Sequence, residues 1–327
     1  MDLKTKLYQM FILGLEGENY RQALEYGLGG VIFFTKDIQS VEQIKELTSK
    51  IKAESLIPPF LSIDQEGGRV ERTENIHGGK KYLSAKFAYE KGLEYLKGQT
   101  ETIAKELTSY GINLNFAPCI DVNTNPANPI IGERAFSSNP DDVIEAEKIV
   151  SETYINNGVI PCAKHFPGHG DANADSHLTL PEIDLNLNDM GKTHIRPFAS
   201  AIENGIPMIM AAHLHCKCFE DKKIPTSLSK NAISYLRNNL GFNGVIISDD
   251  MVMKGVSDFG EVEACVMGIK AGLNMFIYRN SNRKTIQVIE DILKIAQNDY
   301  ELQEKIDFSY NKIIELKKRF LNFEKTV

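Results

Sequence analysis

Tyr26-Gly27-Leu28-Gly29-Gly30-Val31-Ile32-Phe33-Phe34 decides the architecture, because it packs a helix end, a glycine and a β-rich apolar run into one short stretch. A glycine just past a helix takes the left-handed conformation that strains residues with a Cβ. Gly27 therefore reads as a helix stop and the run after it as a strand. The same join returns at Tyr110-Gly111-Ile112-Asn113-Leu114-Asn115-Phe116, Asn157-Gly158-Val159-Ile160 and Asn204-Gly205-Ile206-Pro207-Met208-Ile209-Met210. It appears again at Leu240-Gly241-Phe242-Asn243-Gly244-Val245-Ile246-Ile247 and Ala271-Gly272-Leu273-Asn274-Met275-Phe276-Ile277-Tyr278. Helix starts agree: Ser40-Val41-Glu42-Gln43 reads as a capping box, and Asn139-Pro140 as an N-cap followed by proline at the first helical position.

With Phe11–Leu13 and Phe60–Ile63 added, eight strands are expected, the others near 31–34, 114–117, 159–163, 208–212, 245–248 and 274–278. They are short and continuously apolar, as strands buried on both faces are. Strand and helix alternate throughout, so the expected fold class is α/β, a single (β/α)8 TIM barrel over residues 1–327 with its site at the carboxyl ends of the strands. A doubly wound open sheet is the alternative, since periodicity alone cannot close a sheet. Ile306, Tyr310, Ile313 and Phe320 recur at helical spacing and predict a packed terminal helix.

Composition excludes several classes. The chain has 327 residues, 42% hydrophobic and 25% charged, which are ordinary globular proportions. Its 37 basic and 44 acidic residues leave a net charge of −7, against a sequence-independent hold on nucleic acid. No apolar run approaches the roughly 18 residues that span a bilayer. The apolar stretch Met10 to Leu15 is cut by Gly14 and lacks the longer core of a signal peptide. Five cysteines, an odd number, read as reduced thiols, so a cytoplasmic location is expected. Tryptophan is absent, which counts mildly against a sugar-binding protein, since indole faces often stack on sugars, although Tyr and Phe could substitute.

Reactive side chains gather where barrel enzymes build their sites. Asp64-Gln65-Glu66-Gly67-Gly68-Arg69-Val70-Glu71-Arg72 follows the third strand; Asp121 and a polar loop with Arg134 follow the fourth. Lys164-His165 ends the fifth, His213 and His215 the sixth, Asp249-Asp250 the seventh and Arg279-Asn280 the eighth. The loop Lys164-His165-Phe166-Pro167-Gly168-His169-Gly170-Asp171-Ala172-Asn173-Ala174-Asp175-Ser176-His177 is too rich in Gly, Pro and small residues for a helix. In Asp175-Ser176-His177 a carboxylate can orient the imidazole and favour its protonated form, as a general acid needs; the same triplet also suits a plain surface turn. His213-Leu214-His215-Cys216-Lys217-Cys218 offers zinc-type ligands, but alternation along an extended strand sends His213 and His215 away from Cys216.

At these residues the sequence resembles glycoside hydrolase family 3, in particular its short bacterial β-N-acetylglucosaminidases of peptidoglycan recycling. The pieces are Asp64 to Val70, Asn115-Phe116-Ala117-Pro118 with Asp121-Val122, Gly132-Glu133-Arg134-Ala135-Phe136, Lys164 to Gly170 running on to Asp175-Ser176-His177, and Ser248-Asp249-Asp250-Met251. The resemblance implies Asp249 as nucleophile, His177 with Asp175 as acid/base, and Asp64, Arg72, Arg134, Lys164 and His165 as holders of the sugar. It also implies a retaining mechanism with no metal and no cofactor. The expected partner is a small carbohydrate, a muropeptide fragment with terminal N-acetylglucosamine, with no nucleic acid, no membrane and a monomeric chain. A β-glucosidase or dual-specificity member of the family is the near alternative. A metal-dependent amidohydrolase-like barrel and an idle sugar-binding protein are the distant ones.

Overall fold

The computed structural model describes residues 1–172, 180–321 and 323. Eight parallel strands close a barrel: β1 Phe11–Gly14, β2 Gly30–Phe33, β3 Phe60–Ile63, β4 Leu114–Asn115, β5 Ile160–Phe166, β7 Met208–Ala211, β9 Val245–Asp250 and β10 Met275–Tyr278. Around the barrel the order is β1-β10-β9-β7-β5-β4-β3-β2, so the sheet is closed and the open-sheet alternative fails. Two further short strands, β6 Glu182–Ile183 and β8 His215–Cys216, pair in parallel outside the barrel, and no sequence pattern announces them. All strand residues from β1 to β5, and all of β7 and β10, are buried, as their mostly apolar runs predict, with Ser62, Asn115, Lys164 and His165 the polar residues buried among them.

The glycine joins behave as read: Gly27, Gly111, Gly158, Gly205, Gly241 and Gly272 all have positive φ, between 70° and 113°. Ser40 caps the helix Val41–Glu54 by accepting from the N–H of Gln43 (3.1 Å). The capping box is only half formed, because the Gln43 side chain instead accepts from the N–H of Gln39 (3.0 Å). Asn139 caps Pro140–Asn156 as expected. The last helix, Tyr300–Phe320, runs to the amino-terminal end of the barrel. There the buried Lys317 Nζ donates to Gln9 Oε1 (2.8 Å) and Gly29 O (2.9 Å) and lies 4.9 Å from the Phe60 ring centroid. That end is closed by packing, which leaves the opposite end for chemistry.

Two irregularities shape the carboxyl end. The register of β5 against β7 shifts between Ala163 and Phe166, and that of β10 against β9 shifts where Met275 faces Ile247 but Ile277 faces Asp250. An extra residue in one strand breaks the strict in/out alternation. Neighbours Lys164 and His165 therefore both face the barrel mouth, and so do neighbours Asp249 and Asp250.

Candidate active site

A cavity of about 260 Å³ opens at the carboxyl end. Its polar wall is Asp64 and Arg72 after β3, Arg134 after β4, Lys164, His165 and His169 on and after β5, Asp249 and Asp250 on β9, and Arg279 after β10. Apolar patches from Phe34, Met210, Met253 and Ile277 complete it. The structure thus brings six of the sequence-derived candidates, Asp64, Arg72, Arg134, Lys164, His165 and Asp249, to one cavity. Asp175 and His177 lie outside the described residues.

The floor is a chain of alternating charges. Lys164 Nζ donates to Asp64 Oδ1 (2.7 Å) and Glu66 Oε1 (2.6 Å), while Arg134 grips Glu66 through Nε and Nη2, both at 2.8 Å. Burial opposes ionisation of Glu66, but Arg134 and Lys164 outweigh it and hold the carboxyl well below its usual range. Burial likewise disfavours the Lys164 ammonium, and Asp64 and Glu66 reverse that, leaving it firmly charged. Such a lattice fixes its donors and acceptors before any ligand arrives, which suits recognition of hydroxyl groups.

The chain continues through His165. Its Nδ1 lies 2.7 Å from Asp121 Oδ2, and its Nε2 lies 3.3 Å from Arg134 Nη2. An ionised Asp121 fixes the tautomer with hydrogen on Nδ1, so the Nε2 lone pair accepts from Arg134. Asp121 is fully buried and also accepts from the backbone N–H of His165 (3.3 and 3.2 Å) and of His169 (2.5 Å) and from Cys119 Sγ (3.2 Å). Burial alone would neutralise it; His165 and these donors keep it well below the ordinary aspartate range. The loop after β5 is pinned nearby at Gly170, where a Cβ would stand 1.7 Å from the Val122 carbonyl oxygen. His169 packs edge-on to His165 with ring centroids 6.1 Å apart, and burial lowers it to about 4, so it is neutral at pH 7.

Asp249 stands apart from this lattice. Its Oδ1 accepts from the N–H of Asp250 (2.7 Å), and among the described residues no other side chain hydrogen-bonds to it. Burial would raise its carboxyl, but the imidazoles of His165 and His213, the Asp250 N–H and the Lys164 ammonium prevail and hold it below the usual aspartate value. Asp250, next in sequence, has the opposite balance. Burial raises it despite its ion pair with Arg279 Nε and the N–H groups of Val252 (3.1 Å) and Arg279 (3.2 Å). Asp249 is therefore an ionised carboxylate with lone pairs facing the cavity, and Asp250 is a tethered neighbour.

Among the described residues, one group has three metal-type ligand atoms within reach of each other: Cys119, Asp121 and His165. It does not fit an ion well. The Asp121 oxygens are already saturated by N–H donors, and burial raises the Cys119 thiol so that it keeps its proton. The His213 to Cys218 stretch does not converge either: His213 Nδ1 meets Ser227 Oγ (2.7 Å) and His215 Nε2 meets the Glu220 carbonyl (2.8 Å).

Glu66, Asp121 and His169 stood within the sequence motifs, but none of them was given a task from the sequence. Glu66 was legible in principle, since it lies two residues beyond Asp64 and so faces the same way in extended chain. Asp121 joins His165 only through a contact spanning 44 residues, which no local pattern encodes.

The profile of the glycosyl hydrolase family 3 N-terminal domain matches residues 2–316. The chain belongs to glycosyl hydrolase family 3. It is 34% identical over 320 residues to beta-hexosaminidase A of Pseudoalteromonas piscicida, covering 89% of this chain and 53% of that protein. It is 32% identical over 287 residues to a beta-hexosaminidase of Neisseria meningitidis serogroup C (strain 053442), covering 85% and 78%. A solved glycoside hydrolase family 3 β-N-acetylglucosaminidase from Paenibacillus sp. FPU-7 superposes with a TM-score of 0.91 at 30% identity, over 100% of this chain and 64% of that one. This family 3 chain thus spans about half the length of the Pseudoalteromonas relative and under two thirds of the Paenibacillus one. No helix among the described residues is long and apolar enough to cross a membrane.

Proposed function

We propose that this chain is a retaining exo-β-N-acetylglucosaminidase that removes terminal β-linked N-acetylglucosamine. The observation that carries the reading is an ionised, cavity-facing Asp249 opposite a preorganised ring of Asp64, Lys164, Arg134 and His165. Acetal cleavage needs a carboxylate beneath an oxocarbenium-like centre and a proton for the departing oxygen. Asp249 supplies the first, attacking to form a glycosyl-enzyme ester. Asp64 accepts from sugar hydroxyls; Lys164, Arg134 and Arg72 donate to them, and His165, accepting from Arg134, holds that guanidinium in the wall. His177, oriented by Asp175, supplies the proton and then recovers one from the water that hydrolyses the ester. That pair is assigned from the family resemblance. The relatives' names, beta-hexosaminidase and β-N-acetylglucosaminidase, support the choice of sugar.

The natural substrate we propose is a muropeptide fragment, handled in the cytoplasm by a monomeric barrel that carries the whole reaction without a metal or cofactor. A nitrophenyl β-N-acetylglucosaminide is expected to turn over roughly 10²-fold faster, as kcat/KM, than the matching β-glucoside. Proton NMR of the first product is expected to show the β anomer. Faster cleavage of the glucoside supports the β-glucosidase alternative, and activity abolished by a chelator supports the amidohydrolase-like one.

The acid assignment has its own test. His177→Ala and Asp175→Ala are expected to cost natural disaccharides about 10²–10⁴-fold, the usual span for general acid catalysis, and dinitrophenyl glycosides far less, because that leaving group departs without a proton. Equal losses on both substrates sink the assignment.

A further inference from the structure

The proposed reaction leaves Cys216-Lys217-Cys218 unused. The chain turns as it leaves β8: the N–H groups of Phe219 (3.0 Å) and Glu220 (3.3 Å) donate back to the Cys216 carbonyl. The turn sets Cys216 and Cys218 on one side, with their sulfurs 3.2 Å apart. All five cysteines are free, and four of them, Cys119, Cys162, Cys216 and Cys265, are buried; Cys218 is half-buried. Burial raises the Cys119, Cys162 and Cys265 thiols, the last to about 12, so they keep their protons. The two sulfurs share one S–H···S contact; the contact and burial raise the Cys216 thiol, and the same contact lowers that of the less enclosed Cys218, so the outer sulfur ionises first.

We propose that Cys216 and Cys218 form a redox couple, a modification site that takes a low-molecular-weight disulfide as oxidant and closes an internal bond. The Cys218 thiolate attacks one sulfur of the reagent, forming a mixed disulfide and releasing one thiolate. The Cys216 sulfur then attacks the Cys218 sulfur and expels the second thiolate, which takes up the Cys216 proton. Two cysteine thiols are oxidised, and one disulfide is reduced to two thiols. Contact must shorten from 3.2 Å to a bond of about 2.05 Å, within reach of a side-chain rotation at the less enclosed Cys218. The couple sits where β8 pairs with β6, Cys216 opposite Ile183, against a small apolar cluster with Ala172, Met190 and Leu214. The bond therefore forms within structure joined to the catalytic rim.

The test is mass spectrometry of the full chain after incubation with glutathione disulfide, with peptide mapping under alkylating quench. The expected product has lost two hydrogens in the peptide joining Cys216 and Cys218. Cys216→Ser is expected to accumulate a glutathione adduct at Cys218, and Cys218→Ser to form neither adduct nor internal bond. A stable adduct on Cys218 of the unmodified chain, no reaction, or earlier modification of Cys119, Cys162 or Cys265 overturns the proposal. The result on the unmodified chain decides even where a serine variant fails to fold.

Discussion

Asp249→Ala is expected to reduce hydrolysis of an aryl β-N-acetylglucosaminide by about 10⁴-fold or more, the scale on which a covalent nucleophile acts. The expectation follows from where its charge sits. The neighbouring carboxylates Asp64 and Glu66 are bound to Lys164, and Asp250 is bound to Arg279, so none can turn to the anomeric carbon without breaking an ion pair. Asp249 is the carboxylate whose side chain is spent on nothing but one backbone N–H among the described residues. Azide added to the alanine variant is expected to restore cleavage of a dinitrophenyl glycoside and to yield the α-glycosyl azide, because the anion attacks from the face the carboxylate vacated. The pH profile carries the same assignment. The Asp249 carboxyl is held below its ordinary range, so the active, ionised form persists as pH falls past the usual aspartate value. Activity is lost only on crossing that lowered value, and kcat/KM of the unmodified chain is expected to keep its plateau there. Turnover within tenfold of normal in Asp249→Ala, or no azide product, removes Asp249 from the nucleophile's role.

The strand set was readable because the barrel strands are short, buried, mostly apolar runs, and six of the eight, all but β1 and β3, are announced by a glycine that ends the preceding helix. Those are local signals, and Gly27 through Gly272 kept every one of them. The pairing of β6 with β8 was not readable: two-residue strands carry too little pattern. In the site, residues at or just past a strand's carboxyl end, such as Asp64, Lys164 and Asp249, could be placed from the sequence. Asp121 could be noticed there but not given its task, since its partners His165 and His169 arrive only when β4 and β5 lie side by side. The shared orientation of Lys164 and His165 was hidden as well. Strict alternation forbids it, and the register shift that permits it depends on β7.

Lys164→Met is expected to remove both activity and stability, and the two losses can be separated. Lys164 is 2% exposed in its side chain and is the cation shared by Asp64 and Glu66. Breaking a buried pair by deleting one partner typically costs about 3–5 kcal/mol, because the remaining charge stays buried without compensation. Here Glu66 retains Arg134, whereas Asp64, with 19% of its side chain exposed, recovers some solvent. The lower end, about 3 kcal/mol, is therefore expected in urea unfolding. In Lys164→Met/Asp64→Asn one of the two orphaned carboxylates is gone, so much of that stability returns. Activity does not return, since the sugar has lost an ammonium donor and an anionic acceptor from the same wall. The expected pattern is thus a double variant folded nearly as well as the unmodified chain, with kcat/KM still depressed by about 10³-fold, equivalent to roughly 4 kcal/mol of transition-state binding. A single variant with an unchanged unfolding midpoint and turnover within threefold would mean that the ion-pair lattice neither supports the barrel mouth nor meets the substrate.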